Sequence, residues 1–273
     1  MSALLALLSS LCWGTSDFIA GLLSRRIPAV AVVAWSQGWA LLGLTLVLGF
    51  RGDFGTNLLL PSAMGAGISG SAALVCFYLA LSTGTMGVVA PVASLGVVVP
   101  VLVGIARGDQ APPWAWFGVA VAVLGIVLAS GPELSGGASV RPVLLAIVAG
   151  IGFGITLVLI DLGARQSVMH TLWGMRATSV SLFLVAGLIL RSAGGVRAGQ
   201  QPTLAVVGIV DLLANGLYAV ASSSSLVSLA SVLGSLYPVV TVVLARFVLS
   251  ERLRQIQLVG VALSAVGAGF IAL

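Results

Sequence analysis

Long apolar runs of about twenty residues follow one another along the chain, and short clusters of Arg, Pro, Gly and Asp separate them. The hydrocarbon core of a bilayer is crossed by about 20 apolar residues in helical conformation, so each run predicts a transmembrane helix. Ten spans are predicted, at residues 3–23, 29–49, 62–82, 86–106, 114–131, 143–162, 171–190, 203–221, 226–248 and 257–273. Spans three and four, and spans eight and nine, are so close in sequence that each pair is predicted to form a tight hairpin.

The runs also exclude the other membrane architecture. Barrel strands alternate polar and apolar residues over short segments, whereas these runs are longer and continuously apolar. The predicted fold class is therefore all-α, a polytopic membrane protein. The 35 glycines agree with this, because membrane helices pack closely where small residues let their backbones approach.

Composition and charge remove several classes of function. The chain is 59% hydrophobic and 7% charged, whereas a soluble domain carries about 25% charged residues, so a soluble protein is excluded. Every basic residue is arginine, and the arginines are spread singly or in pairs over the loops. A nucleic-acid-binding protein would gather them on one patch, so no nucleic-acid partner is predicted. Cys12 and Cys76 both lie in apolar runs and are interpreted as small buried side chains.

The second half of the chain repeats the first, because four short motifs recur in the same order about 140 residues apart. The paired motifs are Trp13-Gly14 with Phe153-Gly154, Phe77-Tyr78 with Leu217-Tyr218, Val99-Pro100-Val101 with Tyr237-Pro238-Val239, and Gly118 to Gly125 with Gly260 to Gly267. We therefore predict two five-helix repeats, at residues 1–137 and 138–273. Because five is odd, the second repeat must be inverted in the membrane, as in many secondary transporters whose substrate site lies between the repeats.

These motifs resemble the EamA-type proteins of the drug/metabolite transporter superfamily. The resemblance rests on Trp13-Gly14-Thr15-Ser16-Asp17-Phe18, on Ala80-Leu81 followed by Pro91 and Pro100, and on residues 221–260 with Tyr237-Pro238 and Ser250-Glu251-Arg252-Leu253. It covers essentially the whole chain and implies ten helices and solute transport by alternating access. The chain departs from the pattern at Arg107-Gly108-Asp109, where a Glu-Arg pair is missing, at Asp17, where Asn is common, and at Phe153-Gly154. Substrate identity is therefore not carried over.

A charged side chain at the centre of the hydrocarbon layer costs roughly 2.5–3.5 kcal/mol, so each such residue needs an explanation. Asp211 lies near the middle of span eight, and Asn215 and Tyr218 follow at i+4 and i+7 on the same helical face. These three side chains are predicted to bind a polar substrate or to carry a proton. The alternative is a packed hydrogen-bond cluster between helices.

Span one supplies two more candidate substrate-binding residues, Trp13 and Asp17, and Tyr78 joins them as the first-repeat counterpart of Tyr218. Trp13 lies deep enough in its span to line a cavity. Asp17 has two interpretations that stay equally open: a carboxylate that titrates during transport, or the fixed partner of an arginine.

Arg176, in span seven, is the remaining candidate. We predict that it pairs with Asp161 across the hairpin of spans six and seven, with recognition of a substrate carboxylate or phosphate as the alternative. His170 lies at a membrane boundary and is interpreted as an interfacial residue.

The chain has no GxxxxGK[ST] phosphate loop, no cluster with metal-ligand spacing and no nucleophile flanked by a base. We therefore expect no cofactor and no enzyme activity. The leading hypothesis is a secondary active transporter that exports a small metabolite or drug-like solute through a central polar cavity. The alternatives are a facilitative channel, and a membrane-embedded enzyme or assembly subunit that acts on lipids through Asp161, Arg165, His170 and Arg176.

The predicted location is the plasma membrane, with the lipid bilayer and a small-molecule substrate as partners. A proton is a candidate coupling ion, and a homodimer stays open. The orientation is also open, because the arginine distribution places both termini outside by the positive-inside rule. The family resemblance implies that both are inside. Substrate, coupling ion and direction are not determined by the sequence.

Overall fold

A computed structural model describes residues 1–54, 59–84, 86–129, 140–191, 194–248 and 255–272. Throughout these ranges the regular structure is helical, without a strand. Twelve α-helices follow in chain order: α1 Ser2–Ser24, α2 Ala29–Arg51, α3 Pro61–Thr83, α4 Met86–Ser94, α5 Val98–Ala106, α6 Pro113–Ala129, α7 Val140–Ala164, α8 Val168–Leu190, α9 Gln201–Ser223, α10 Val227–Gly234, α11 Tyr237–Val248 and α12 Gln255–Ala272.

The twelve helices correspond to the ten predicted spans, because α4 with α5 and α10 with α11 each form one interrupted span. Among the described residues, eight spans are long and apolar enough to cross a membrane, and α6 and α12 are shorter apolar helices. The all-helical membrane fold with about ten spans is thus confirmed. The predicted repeat boundary at residue 137 and the motif Ser250-Glu251-Arg252-Leu253 lie outside the described residues.

The two interrupted spans break at corresponding places. The three residues Leu95–Val97 form a 3₁₀ turn between α4 and α5, and α10 ends at Gly234 before α11 begins at Tyr237. Pro100 and Pro238 stand four residues beyond Gly96 and Gly234. A proline cannot donate to the carbonyl four residues earlier, and its ring pushes that carbonyl away. Each break is therefore explained by a proline one turn further along.

The helices of the two repeats interlock around one shared core. The first repeat contributes α1 to α6 and the second α7 to α12, so corresponding helices differ by six in number. Helix α1 packs extensively on α9 and α7 packs on α3, while α2 packs on α9 and α8 on α3. Each contact is matched by one in which the repeats exchange roles. This is the pattern of a two-fold relation, and an odd number of spans per repeat requires it to invert one repeat.

The shorter helices α6 and α12 pack against each other through the repeated glycine motif. A Cβ atom added to Gly118 would lie 2.8 Å from the carbonyl oxygen of Gly267, and one added to Gly125 would lie 2.7 Å from that of Gly260. Such distances leave no room for a side chain, so glycine permits the close approach of two membrane helices. The motif that revealed the duplication is therefore a helix–helix contact.

The outer surface of the bundle is apolar along its whole length. Leu46 of α2, Leu102 of α5 and Leu184 of α8 are each more than half exposed. The buried set, by contrast, includes Asp17, Arg176 and many serines. Apolar side chains outside and polar side chains inside are the arrangement that a bilayer environment favours.

Candidate functional site

A cavity lies at the centre of the bundle, between the two repeats. The empty space among its lining residues, together with the open solvent at its mouth, amounts to about 720 Å³. The described side chains of α6 and α12 do not belong to its lining. The lining residues are Trp13, Asp17, Gln37, Ala66, Gly70, Ser71, Leu74, Ala93, Ser94, Gly96, Val97, Phe153, Gly154, Thr156, Leu157, Met175, Arg176, Ser179, Asp211, Asn215, Gly234, Ser235 and Tyr237.

Both helix breaks reach this cavity. Gly96 and Val97 line it at the first break, and Gly234, Ser235 and Tyr237 line it at the second. Irregular backbone inside a membrane is tolerated where it is buried in protein or faces a cavity, because its free polar groups need partners. The prolines therefore place interrupted backbone at the cavity wall.

Arg176 and Asp211 form a buried ion pair on the cavity wall. Arg176 Nη2 donates to Asp211 Oδ2 at 2.8 Å, and Arg176 Nη1 donates to Gln37 Oε1. All three residues are buried. The pair brings α2, α8 and α9 together, and each charge compensates the other away from water.

The predicted polar face of α9 is correct in its geometry but divides into two parts. Asn215 lines the cavity, and its Nδ2 donates to the Asp211 backbone carbonyl at 2.7 Å and to Asp211 Oδ1 at 3.2 Å. Tyr218 is fully buried behind the cavity, where its hydroxyl donates to the Leu157 carbonyl at 3.2 Å and contacts Ser231 Oγ at 2.8 Å. Tyr218 is thus positioned to hold helices together rather than to contact a solute.

Asp17 lines the cavity from α1 and pairs with Tyr78 of α3. The Tyr78 hydroxyl donates to Asp17 Oδ1 at 3.2 Å, and both side chains are buried. Of the two interpretations of Asp17, the fixed partnership with an arginine is wrong, since no arginine forms an ion pair with it in the described part of the chain. Trp13 stands one turn before Asp17, and its ring packs on Tyr218 with centroids 5.7 Å apart.

The sequence prediction missed two residues that line the cavity, Gln37 and Ser71, and both lie at positions equivalent to predicted residues of the other repeat. Gln37 is the ninth residue of α2, and Arg176 is the ninth of α8. Ser71 is the eleventh residue of α3, and Asp211 is the eleventh of α9. All four line the cavity. Aligning the repeats at a separation of about 140 residues would have found Gln37 and Ser71 from their charged counterparts.

The predicted pairing of Asp161 with Arg176 is wrong. Asp161 accepts instead from Arg107 Nη1 at 3.1 Å and from Arg165 Nε at 3.2 Å. Helix α8 begins at Val168, three residues before the predicted start, which places Arg176 about 12 Å into the helix, whereas Asp161 is about 5 Å from the end of α7. The two side chains therefore lie at different depths.

The residues considered for lipid chemistry have separate contact partners in the described part of the chain. His170, the proposed interfacial residue, approaches Asp53, with Nε2 at 3.2 Å from the Asp53 carbonyl oxygen. Arg176 belongs to the central pair, and Asp161 and Arg165 belong to the ion pairs at the end of α7. The four residues considered for lipid chemistry thus take part in three different sets of contacts.

The motif Trp13-Gly14 has a structural role next to the second break. A Cβ atom added to Gly14 would lie 2.5 Å from Val240 Cβ and 2.6 Å from the Tyr237 carbonyl oxygen. In the other repeat, a Cβ atom added to Gly154 would lie 2.7 Å from Val99 Cβ. Glycine at these positions lets α1 and α7 approach the interrupted spans directly, and this brings Trp13 and Phe153 to the cavity.

Comparison with known proteins agrees with this architecture. Among curated proteins, no sequence matches the chain. A solved structure described only as "Crystal structure of protein" has the same fold, with a TM-score of 0.78 at 19% identity over 99% of this chain and 96% of that one. The model of the EamA-like transporter family matches twice, at residues 1–131 and 140–273, once for each repeat. Two matches that together cover nearly the whole chain show that this protein belongs to the EamA-like transporter family.

Proposed function

We propose that the protein is a secondary transporter that moves a small solute through the central cavity by alternating access. The observation that carries the proposal is the pair of proline-interrupted spans whose breaks line a cavity between the repeats. Discontinuous helices at the interface of inverted repeats are a typical substrate site of secondary transporters. The cavity offers charged, amide and hydroxyl groups beside the aromatic walls of Trp13, Phe153 and Tyr237.

Polar bonds join the two repeats at one end of the bundle, and alternating access would make and break them. Arg107 of the first repeat binds Asp161 of the second at 3.1 Å. Asp109 accepts from the Ser228 hydroxyl at 2.6 Å, again across the repeats. These contacts join the ends of α5 and α7 to the start of α10, beyond one end of the cavity. Rocking of the repeats about the cavity would have to separate them.

The remaining parts of the proposal follow from the membrane setting. We assign the protein to the plasma membrane, with the bilayer and a small-molecule substrate as its partners, and with export driven by a proton or counter-substrate gradient. It has no enzyme activity in this proposal, since the described polar residues at the end of α7 are engaged in ion pairs.

The proposal is tested with purified protein in two stages. A thermal-shift screen of amino acids, sugars, nucleosides and aromatic amines selects a compound that stabilises the folded protein. Proteoliposomes are then preloaded with that compound, and uptake of its labelled form from outside is followed. A carrier gives transient accumulation above the equilibrium level, because the outward flow of unlabelled compound drives the exchange.

Two results distinguish the alternatives. Uptake that only approaches equilibrium, whatever is inside the vesicles, contradicts the transporter and indicates a channel. Asp211→Asn is expected to abolish the overshoot, whereas Asp53→Asn, which changes a half-exposed loop carboxylate, is expected to leave it unchanged.

A further inference from the structure

The charges that line the cavity do not balance. The charged lining residues are Asp17, Arg176 and Asp211, which carry two negative charges and one positive charge when both carboxyl groups are ionised. Arg176 and Asp211 compensate each other at 2.8 Å, so the surplus belongs to Asp17. A carboxylate away from water is stable only when a cation or a proton neutralises it.

Asp17 has one fixed partner in the described part of the chain, the hydroxyl of Tyr78. One hydrogen bond occupies one of the four acceptor positions of a carboxylate. The rest of the carboxylate belongs to the cavity wall, one turn from Trp13 and within electrostatic reach of Tyr237. Aromatic faces beside a carboxylate favour a cationic group, since the ring quadrupole attracts positive charge.

Arg176 does not offer a matching site for an anion. Its positive charge is already compensated by Asp211 at 2.8 Å, and Nη1 also donates to Gln37. Its Nε is buried and has no hydrogen-bond partner in the described part of the chain. An anionic solute at the guanidinium would have to compete with Asp211 for its positive charge. A cationic solute at Asp17 displaces only a proton.

We infer that Asp17, held by Tyr78, binds the positively charged group of a monovalent organic cation such as a protonated or quaternary amine, in exchange for a proton. The inference rests on the proposed function and names its substrate class. Trp13, Phe153 and Tyr237 surround the apolar part of the cation. The exchange balances: one proton leaves Asp17 when one monovalent cation arrives, and the net charge of the cavity stays constant.

The titratable and charged groups around Asp17 come from four helices. Tyr78 of α3 donates to it, and Arg176 of α8, Asp211 of α9 and Tyr237 of α11 lie in the same electrostatic cluster. The described parts of α10 and α12 carry no titratable side chain. The titratable side chain of α2 is Arg51, at the far end of that helix. The proton that responds to the cation is therefore assigned to Asp17, because Asp211 keeps its arginine.

The test uses benzyltrimethylammonium, which has a permanent charge and no proton of its own. Its binding to the purified protein is measured by equilibrium dialysis, and proton release is followed with an indicator in weak buffer across the pH range in which the protein is folded. We expect a dissociation constant below about 1 mM and about one proton released per cation bound. Benzylsulfonate, of similar shape and opposite charge, is expected not to compete.

Variants assign the effect to the residue. Asp17→Asn is expected to weaken cation binding by about 30-fold or more, the loss typical of removing one partner of a buried charge pair. It is also expected to abolish proton release. Asp53→Asn is the matched control and should keep both. Competition by benzylsulfonate in the unaltered protein, binding without proton release, or failure of the cation to bind would each overturn the inference.

The two proposals can fail separately. If a neutral or anionic compound gives the exchange overshoot while benzyltrimethylammonium does not bind, the transporter stands and the cation site falls. If the cation binds at Asp17 with proton release but no compound exchanges across the membrane, the site stands and the transporter falls.

Discussion

Replacing both members of the central ion pair is expected to destabilise the protein less than replacing either one. Arg176 and Asp211 are both buried and lie 2.8 Å apart. Removing one partner leaves an unpaired buried charge, which typically costs about 3–5 kcal/mol. We expect losses of that size in Arg176→Met and in Asp211→Leu.

The double variant removes both charges and also the partnerless Nε of Arg176. Gln37 and Asn215 each lose one hydrogen-bond partner, at a cost of about 1 kcal/mol apiece. Since replacement of a whole buried pair by apolar residues is often close to neutral, the double variant should lie within about 2–3 kcal/mol of the unaltered protein.

The assay is equilibrium unfolding in mixed micelles with a rising fraction of denaturing detergent, followed by fluorescence of the six tryptophans. Arg51→Met, at the exposed end of α2, is the control and should change the unfolding free energy by less than about 1 kcal/mol. If the losses of the single variants simply add in the double variant, the two residues are not coupled and the interpretation of the pair is refuted.

Three further predictions concern the fold around the site. Gly14→Ala should destabilise by about 1–3 kcal/mol through overpacking against Val240, whereas Gly38→Ala, with open space around it, should be neutral or slightly stabilising in the same unfolding assay. Asp161→Asn should lower the unfolding midpoint, since two arginines lose a charged and fully buried acceptor. An equal shift in Asp53→Asn, which changes a half-exposed carboxylate, would show that burial of the Asp161 ion pairs does not matter for stability. Pro238→Ala should slow exchange in proteoliposomes roughly fivefold without loss of folded protein. The reason is that the restored hydrogen bond to the Gly234 carbonyl favours a straight helix by about 1 kcal/mol. An unchanged exchange rate would show that the break is not used in transport.

Much of the architecture is determined by the sequence itself. The apolar runs predict the spans to within a few residues, since the thickness of a bilayer and the rise of a helix are both fixed. The duplicated motifs predict two repeats, and the family comparison confirms them. Asp17, Arg176, Asp211 and Asn215 are predicted as candidates from the cost of polar groups in lipid, and Trp13 from its depth in span one. All five line the cavity.

What the tertiary structure decides is which polar groups meet. Asp161 and Arg176 are neighbours in the predicted hairpin, yet each pairs with a residue from another helix, because the start of α8 and the rotation of its face set the depth and direction of Arg176. Tyr78 and Tyr218 occupy equivalent positions, but only Tyr78 meets a carboxylate, since Asp17 has Leu157 as its counterpart. Helix periodicity assigns a residue to a face and a depth, whereas the partner across that face depends on how separate helices pack, which local sequence does not encode.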